Sequence, residues 1–351
     1  TTRWLELSAQ VRDHEATRLE LRMGDPMDSE IDTRKARSVP RSGGRGITAD
    51  SKMHFLAGLP RLDGRGSLDD LGDGVTHLVA EIARHWKGAP APQVRMLPHR
   101  LPLSELPAPE ATEGGGMRLA LGIDQDALEP VWHDFSRTPH LIVVGDTESG
   151  KTNLLRSITK GITARYTPAE AKIIAVDYRR TLVDAVPEEY RIGHVISLDN
   201  LKETIEGAAR AMKARVPGAD IAPARMRRCD WWTGPRLFVL VDDYDMVSSN
   251  SFQSPFEPLF ENLTLGFEMG LHLIVARSAM GAGRGLSDGL IRRLDEANNP
   301  AVLLSCPPTE GRLFGDAKPL NLPPGRALHI ARRRPRLMQT ALVEEGQGQQ
   351  D

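Results

Sequence analysis

The chain has 351 residues, with 45 Lys and Arg against 47 Asp and Glu, for a formal net charge of −2. A balance so near zero excludes bulk electrostatic attraction to DNA, RNA or an anionic membrane surface. The fractions of apolar residues, 40%, and charged residues, 26%, are those of an ordinary soluble globular protein.

The length allows two or three domains at about 100–200 residues each. No apolar run approaches the roughly 20 residues a membrane span needs, and no signal peptide is expected at the start. Cys229 and Cys306 lie far apart without metal-ligand spacing. They point to a reducing compartment and no disulfide framework. The first residue is Thr, and the expectation is a piece of something longer.

In chain order, "TRLELRMGDPMDSEID", "VPRSGGRGI" and "MHFLAGL" read as a strand, a polar turn, a Pro-containing turn ending in Gly-Arg, and two further strands. The same succession returns near the end as "PAVLLSCPPTEGRLFG", "LPPGRALHI" and "RLMQTAL". Either this is a repeated structural unit, or two unrelated β-hairpin endings share common turn residues. The repeat predicts that the chain starts at the tail of one module and then contains one complete module. Residues 68–86 carry apolar residues at helical spacing and close the first part as a helix. The Pro- and Gly-rich stretch 89–116 reads as a semi-rigid connector. The expected division is therefore 1–88, a connector over 89–116, a complete domain over 117–343 and a polar, disordered tail over 344–351.

The complete module carries the chemistry. "HLIVV", residues 140–144, is the short apolar run of a buried parallel strand. It feeds Gly145, Asp146, Thr147, Glu148, Ser149, Gly150, Lys151 and Thr152, which fit G-x-x-x-x-G-K-[ST] at every fixed position. Glycines let the backbone curl so that its N–H groups face phosphate oxygens. A helix over about 151–165 places its positive end against the same anion. Lys151 reaches the terminal phosphates and Thr152 offers a hydroxyl to Mg²⁺; Asn153 follows as a further nucleotide-binding candidate. The expected ligands are thus ATP and Mg²⁺.

"RLFVLVDDYD", residues 236–245, is a second buried strand. Asp242 at its end is expected to hold the Mg²⁺ shell, and Asp243 to polarise the attacking water. "AKIIAVDY", "HVISL" and "GLHLIVARS" supply further strands. Strands alternating with helices predict an α/β, RecA-like P-loop fold, a parallel central sheet flanked by helices, preceded by a short β-rich and helical segment. Nucleotide then sits at the carboxyl ends of the strands.

The ordered set "GDTESGKTNLLR", "VDYRRTL", "WWTGPRLFVLVDDYD", "GLHLIVARS", "LLSCPPTEGRLFG" and "LPPGRA" resembles the RecA-like motor domains of the FtsK/SpoIIIE family. Within it, the set looks like the EccC-type ATPases of type VII (ESX) secretion systems. The resemblance spans nearly the whole chain. It implies a third, C-terminal ATPase domain preceded by the end of the second. It also implies a parent anchored in the inner membrane with its ATPase domains in the cytoplasm, assembled as a hexamer with other secretion components. Small helical-hairpin Esx-type substrates would present a C-terminal signal to a pocket on one ATPase domain; the apolar segment 251–269 is the first place to look. The alternative for Phe252, Phe256, Leu259, Phe260 and Leu263 is that they face the core.

Three departures from the family's pattern bear on hydrolysis. Asp243 stands where active members carry Glu, one methylene longer. Ser278 occupies the position of the family's γ-phosphate-sensing Gln. Phe267 replaces an Arg three residues before the strand's Gly. Positioning and charge stabilisation dominate phosphoryl transfer, so these departures predict tight binding with slow turnover, a nucleotide-bound scaffold and regulator. The competing reading is a working motor, a protein or DNA translocase.

Other features carry less. "ARMRRCDWW", residues 224–232, reads as a surface hairpin rather than a nucleic-acid patch, and nucleic acid is not an expected partner. "RRRPR", residues 332–336, reads as a solvated turn and His272 as a core or strand-end histidine. Tyr178, Arg179 and Arg180 follow a strand end near the site and face either nucleotide or a neighbouring domain. No His, Cys, Asp and Glu cluster has metal spacing.

Overall fold

A computed structural model describes residues 17–91, 95–182, 184–248, 254–315 and 317–344, together with 4 and 8. The chain divides into two compact units, Thr1–Gln93 and Val94–Asp351.

The first unit holds a three-stranded antiparallel sheet of β1 (Leu19–Leu21), β2 (Arg45–Thr48) and β3 (His54–Leu56). Helix α1 (Thr33–Ser38) starts where the Asp32 carboxylate accepts the backbone N–H groups of Arg34 and Lys35, at 3.0 Å each. Its Ala36 joins Val39 and Ile47 in a small core. Helix α2 (Leu71–His85) is preceded by Arg61, which pairs with Asp63 at 2.6 Å and Asp70 at 2.7 Å. Val79 and Ile82 of α2 are exposed.

The second unit is built on one large sheet. From 95 onward the Pro-rich stretch expected as a connector packs against this unit. Leu97 and Leu101 are buried, and the Leu103 N–H donates to the Leu342 carbonyl at 2.9 Å. Then come β4 (Glu110–Thr112), β5 (Gly116–Asp124), β6 (Pro130–Asp134), β7 (Leu141–Gly145), α3 (Lys151–Arg165), β8 (Ala171–Val176) and β9 (Arg191–Val195). They are followed by α4 (Leu198–Lys213), α5 (Pro223–Arg228), β10 (Arg236–Val241), α6 (Tyr244–Ser248), α7 (Gly266–Met269), β11 (Leu271–Ser278), α8 (Ala282–Gly285), α9 (Gly289–Glu296), β12 (Ala301–Leu303), β13 (Arg326–Ala331) and β14 (Arg334–Thr340).

Strands β12, β7, β11, β10, β8 and β9 lie side by side in that order and run parallel. β13, β14, β5, β4 and β6 extend this block by antiparallel pairing. The sheet is therefore mixed, with the parallel RecA-like block at its centre.

Alternation along each strand sends its side chains to opposite faces. Ile142, Val144, Ile174, Val176, Val239 and Val241 join one core with Leu201, Ile205 and Met212 of α4 and Leu290 and Leu294 of α9. Leu141, Val143, Ile173, Ala175, Phe238 and Leu240 join the other with Leu154, Leu155, Ile158 and Ile162 of α3. Both faces are covered, so the strands read as continuous apolar runs. Each Val, Leu, Ile, Phe or Met among them contributes about 1.5–3 kcal/mol when fully buried.

Two sequence expectations change. Residues 224–232 do not form a hairpin. Pro223 opens the short helix α5, Cys229 ends it at φ 53, and the Trp231 indole donates to the Arg215 carbonyl at 2.7 Å. Proline favours the first helical turn because its fixed φ suits it and its missing N–H is not needed there. In "RRRPR", Arg332 and Arg333 form the turn, at φ 49 and 63, while Arg334 to Arg336 belong to β14.

Candidate nucleotide-binding site

All five residues of β7 are buried, so the strand delivers its loop from a fixed base. A Cβ on Gly145 would lie 2.4 Å from Ser149 Oγ and 2.8 Å from Leu304 Cβ, so the close approach requires glycine. Glu148 at φ 60 and Gly150 at φ 111 bracket Ser149. Such left-handed residues turn backbone N–H groups toward the concave side of a loop. Ser149 is tied from outside, its carbonyl accepting from the Gly325 N–H at 2.9 Å. Its own hydroxyl is buried and has no hydrogen-bond partner. Helix α3 has no side-chain cap at its N-terminus. Its first N–H groups and its dipole are therefore open to an anion.

Lys151 lies against this loop and donates to the carbonyls of Gly145 at 2.9 Å and Asp146 at 2.7 Å. Burial pushes its pKa down, and the charges of Asp243, Asp242 and Asp245 pull it back up. The ammonium meets carbonyl dipoles rather than a directly bonded carboxylate, which leaves its charge available to a phosphate. Thr147 and Glu148 are exposed at the loop tip, and the Asp146 N–H donates to the Ser305 carbonyl at 2.8 Å.

Thr152 and Asp242 meet as their residue types suggest. The Thr152 hydroxyl donates to Asp242 Oδ2 at 2.6 Å. Burial raises the Asp242 pKa, partly opposed by the hydrogen bond from Thr152. Among the described residues no cluster of three or more His, Cys, Asp or Glu is placed to hold a metal alone. One carboxylate and one hydroxyl beside a phosphate cradle are the protein share that Mg²⁺ takes, since it keeps waters and substrate phosphates as its other ligands. The orphaned Ser149 hydroxyl, the uncapped α3 and the Thr152–Asp242 pair therefore fit a magnesium nucleotide.

Asp243 stands beside them at φ 48, but its Oδ2 is taken by Arg179 Nε at 2.8 Å. Ser278 pairs in register with Gly145, next to the loop. Its N–H donates to Asp245 Oδ2 at 2.5 Å and its hydroxyl accepts from the Met280 N–H at 3.1 Å. The side chain is turned onto its own backbone. Phe267 does not join this site. It precedes the opposite end of β11, whose length is about 23 Å at 3.3 Å per residue. There Arg236 lies over its ring, 5.2 Å from the centroid. Asn153 ties α3 to the end of the last strand, donating to the Ala341 carbonyl at 2.6 Å and accepting from the Val343 N–H at 2.9 Å.

Sequence reasoning missed three members. The Thr181 hydroxyl also donates to Asp242 Oδ2, at 3.1 Å. Asp177, almost fully buried, accepts the N–H groups of Thr181 and Leu182 at 3.0 and 2.7 Å. Asp245 joins Arg277 at 3.0 Å and holds the end of β11. The available cue was an Asp closing a buried strand just before a turn, a position where its carboxylate binds the following backbone. His272 is a core residue, fully buried and stacked on Phe238 at 4.5 Å. Tyr178 packs against the core, whereas Arg179 and Arg180 are exposed.

The FtsK/SpoIIIE family profile matches residues 105–226. EccC, an ESX secretion system protein of Thermomonospora curvata, is 45% identical over 346 residues, 98% of this chain and 26% of that protein. The ESX-4 secretion system protein EccC4 of Mycobacterium tuberculosis is 38% identical over 93% of this chain and 25% of its own length. The chain thus spans about a quarter of these curated relatives. A solved structure of ATPases 2 and 3 of Thermomonospora curvata EccC, in complex with a signal sequence peptide, superposes with a TM-score of 0.74 at 45% identity, covering 98% of this chain and 61% of that one. With the P-loop, the Asp242 strand and the six-stranded parallel block in place, the chain belongs to the FtsK/SpoIIIE family, among the EccC-type ATPases of type VII secretion.

Proposed function

We propose that the second unit binds ATP with Mg²⁺ at the Gly145–Thr152 loop and serves an EccC-type secretion machine as a nucleotide-bound scaffold that hydrolyses slowly. The supporting observation is a contrast within one site. The binding elements are complete: the loop, Lys151, Thr152 and Asp242. The elements that would act on water are engaged elsewhere, with Asp243 on Arg179 and Ser278 on its own backbone. When bound, Mg²⁺ supplies a Lewis acid that neutralises charge on the phosphates. The chain's part is to hold the phosphates on backbone N–H groups and Lys151 and to orient the cation with Thr152 and Asp242. Nucleotide calorimetry with phosphate-release kinetics tests the reading, and it fails if ATP does not bind or if turnover is fast. The second reading, a working motor, is favoured by the presence of the Asp243 and Asp245 carboxylates near Lys151.

The first unit is assigned as the end of a preceding ATPase domain. Its β1, β2 and β3 pair antiparallel in the same succession as β12, β13 and β14. The parent would then be a membrane-anchored, hexameric machine with its ATPases in the cytoplasm.

Substrate docking is assigned to a cavity of about 690 Å³ beside α4. Ala209, Val216, Pro258 and Leu265 line it with apolar surface, and Arg210, Lys213, Glu206 and Glu261 add charges of both signs. It adjoins the segment expected to offer a groove. There Phe256, Leu259 and Leu263 are buried in the core and Phe260 packs against it, while Phe252 lies outside the described residues. The EccC relative solved with a signal sequence peptide supports a signal peptide as the ligand class, and an apolar groove suits one that docks as a helix. Fluorescence anisotropy with a labelled C-terminal peptide of an Esx-type substrate would test it, with Leu265→Asp expected to abolish binding.

A further inference from the structure

The turn after β8 is built with unusual firmness for an exposed loop. Asp177 accepts backbone N–H groups from Thr181 and Leu182. The Arg180 N–H donates to the Asp177 carbonyl at 3.3 Å, and Arg180 itself sits at φ 61. From α3, Arg156 donates to the Thr181 carbonyl at 2.7 Å through Nη2 and 3.2 Å through Nε. The loop is pinned by its own strand and by the helix that starts at the phosphate cradle.

β8 and β10 are neighbours in register, Val176 opposite Val241. The residues that follow them emerge side by side. The pinned loop therefore sets Thr181 on Asp242 and Arg179 on Asp243, in both cases through a carboxylate Oδ2. The Arg179 side chain is 58% exposed, so the carboxylate, not burial, fixes its place.

We propose that Arg179 is a positioning residue that restrains Asp243 and so keeps hydrolysis slow; this rests on the reading that the site binds ATP. An oxygen bonded to a guanidinium has one lone-pair direction taken and is less basic beside the cation, so it is a poorer acceptor for a hydrogen bond or a proton from the attacking water. The cation thus weakens the carboxylate that the reaction needs and holds it in one orientation. A gain of about five-fold in rate corresponds to about 1 kcal/mol at 1.36 kcal/mol per tenfold, the upper end for an ion pair of this exposure.

The test uses the full chain with Arg179→Ala, Arg179→Lys, Asp243→Asn and the double variant Arg179→Ala/Asp243→Asn. Arg179→Ala is expected to raise kcat about three- to five-fold with KM within about two-fold. Arg179→Lys should fall between wild type and Ala, since a lysine keeps the charge without the planar fork. The double variant should drop to the Asp243→Asn rate. Independently of nucleotide, urea midpoints of the four combinations of the Ala and Asn changes form a cycle, and the account expects the two changes to be non-additive. A kcat that falls or stays level in Arg179→Ala overturns the proposal, as does an additive cycle in a chain that binds ATP. A wild-type chain that binds no ATP removes the reading of the site and this restraint with it, even where the cycle stays non-additive.

Discussion

The hydroxyl of Thr152, at the start of α3, donates to the carboxylate of Asp242, at the end of β10, at 2.6 Å. β7, whose loop leads into α3, and β10 have β11 between them in the sheet, and the segments that follow the two strands converge there. Each residue alone is unremarkable as a surface group. Together they form an oxygen pair beside a loop whose backbone is shaped for phosphate. Asp242→Asn should therefore uncouple the metal from the nucleotide. ATP affinity with Mg²⁺ should fall about ten- to hundred-fold, the scale of one charge-assisted contact, and the difference between titrations with Mg²⁺ and with a chelator should vanish. Calorimetry under both conditions reads this.

Lys151→Ala removes the one cation that the loop folds around. ATP affinity should drop by at least about tenfold, on the same scale for a charged hydrogen bond, with little change in melting temperature. The wild-type lysine is buried yet its ammonium is bonded to carbonyls and not to a carboxylate, so the fold gains little from it. Paired calorimetry and thermal unfolding check both halves.

Gly145→Ala tests the shape of the loop rather than its charge. A methyl group there meets Ser149 Oγ at 2.4 Å and Leu304 Cβ at 2.8 Å. Overpacking of this kind costs about 1–3 kcal/mol. Urea unfolding should show the loss, and ATP binding should weaken because Ser149 is displaced.

Stability should fall with acid well before the carboxylates titrate. His133, His140 and His329 are held by burial at pKa values of about 3, about 4 and about 4, and burial lowers His272 as well. The unfolded chain binds a proton at each near pH 6.5, and the folded chain does not until far lower. Between those values the unfolded state carries more protons, so stability is complete above about pH 6.5 and declines as pH falls toward 4. Each histidine removes up to about 1.4 kcal/mol per pH unit in that window. Urea midpoints at pH 7.5, 6.5 and 5.5 should fall slightly over the first interval and more steeply over the second. His133→Phe should flatten the decline, since both ring nitrogens lack partners.

The loop and its helix were legible because their chemistry restricts residue type. Glycine is forced at Gly145 and Gly150 and a cation at Lys151, and the helix runs Lys151–Arg165 where the pattern places it. β10 was legible because a strand covered on both faces is apolar at every position. The antiparallel extension was less so. β5 and β6 mix polar and apolar residues around a turn, and nothing local says that β5 will lie beside β14. The pairing of Arg179 with Asp243 depends on β8 lying next to β10, an order that local patterns do not encode. Asn153 looked like part of the loop because it adjoins Thr152; its partners, near the end of the chain, are visible only once the last strand is placed.

Phosphate release by the purified chain at saturating ATP and Mg²⁺, with Lys151→Ala as control, tests the central claim most directly. The account predicts ATP binding that depends on Lys151 and turnover below about 0.1 s⁻¹, under the usual range of about 1–1000 s⁻¹ for enzymes. Lys151-dependent turnover above about 1 s⁻¹ would contradict it, because Asp243 would then be acting on water despite Arg179 and the short Ser278 would suffice where a longer side chain was expected.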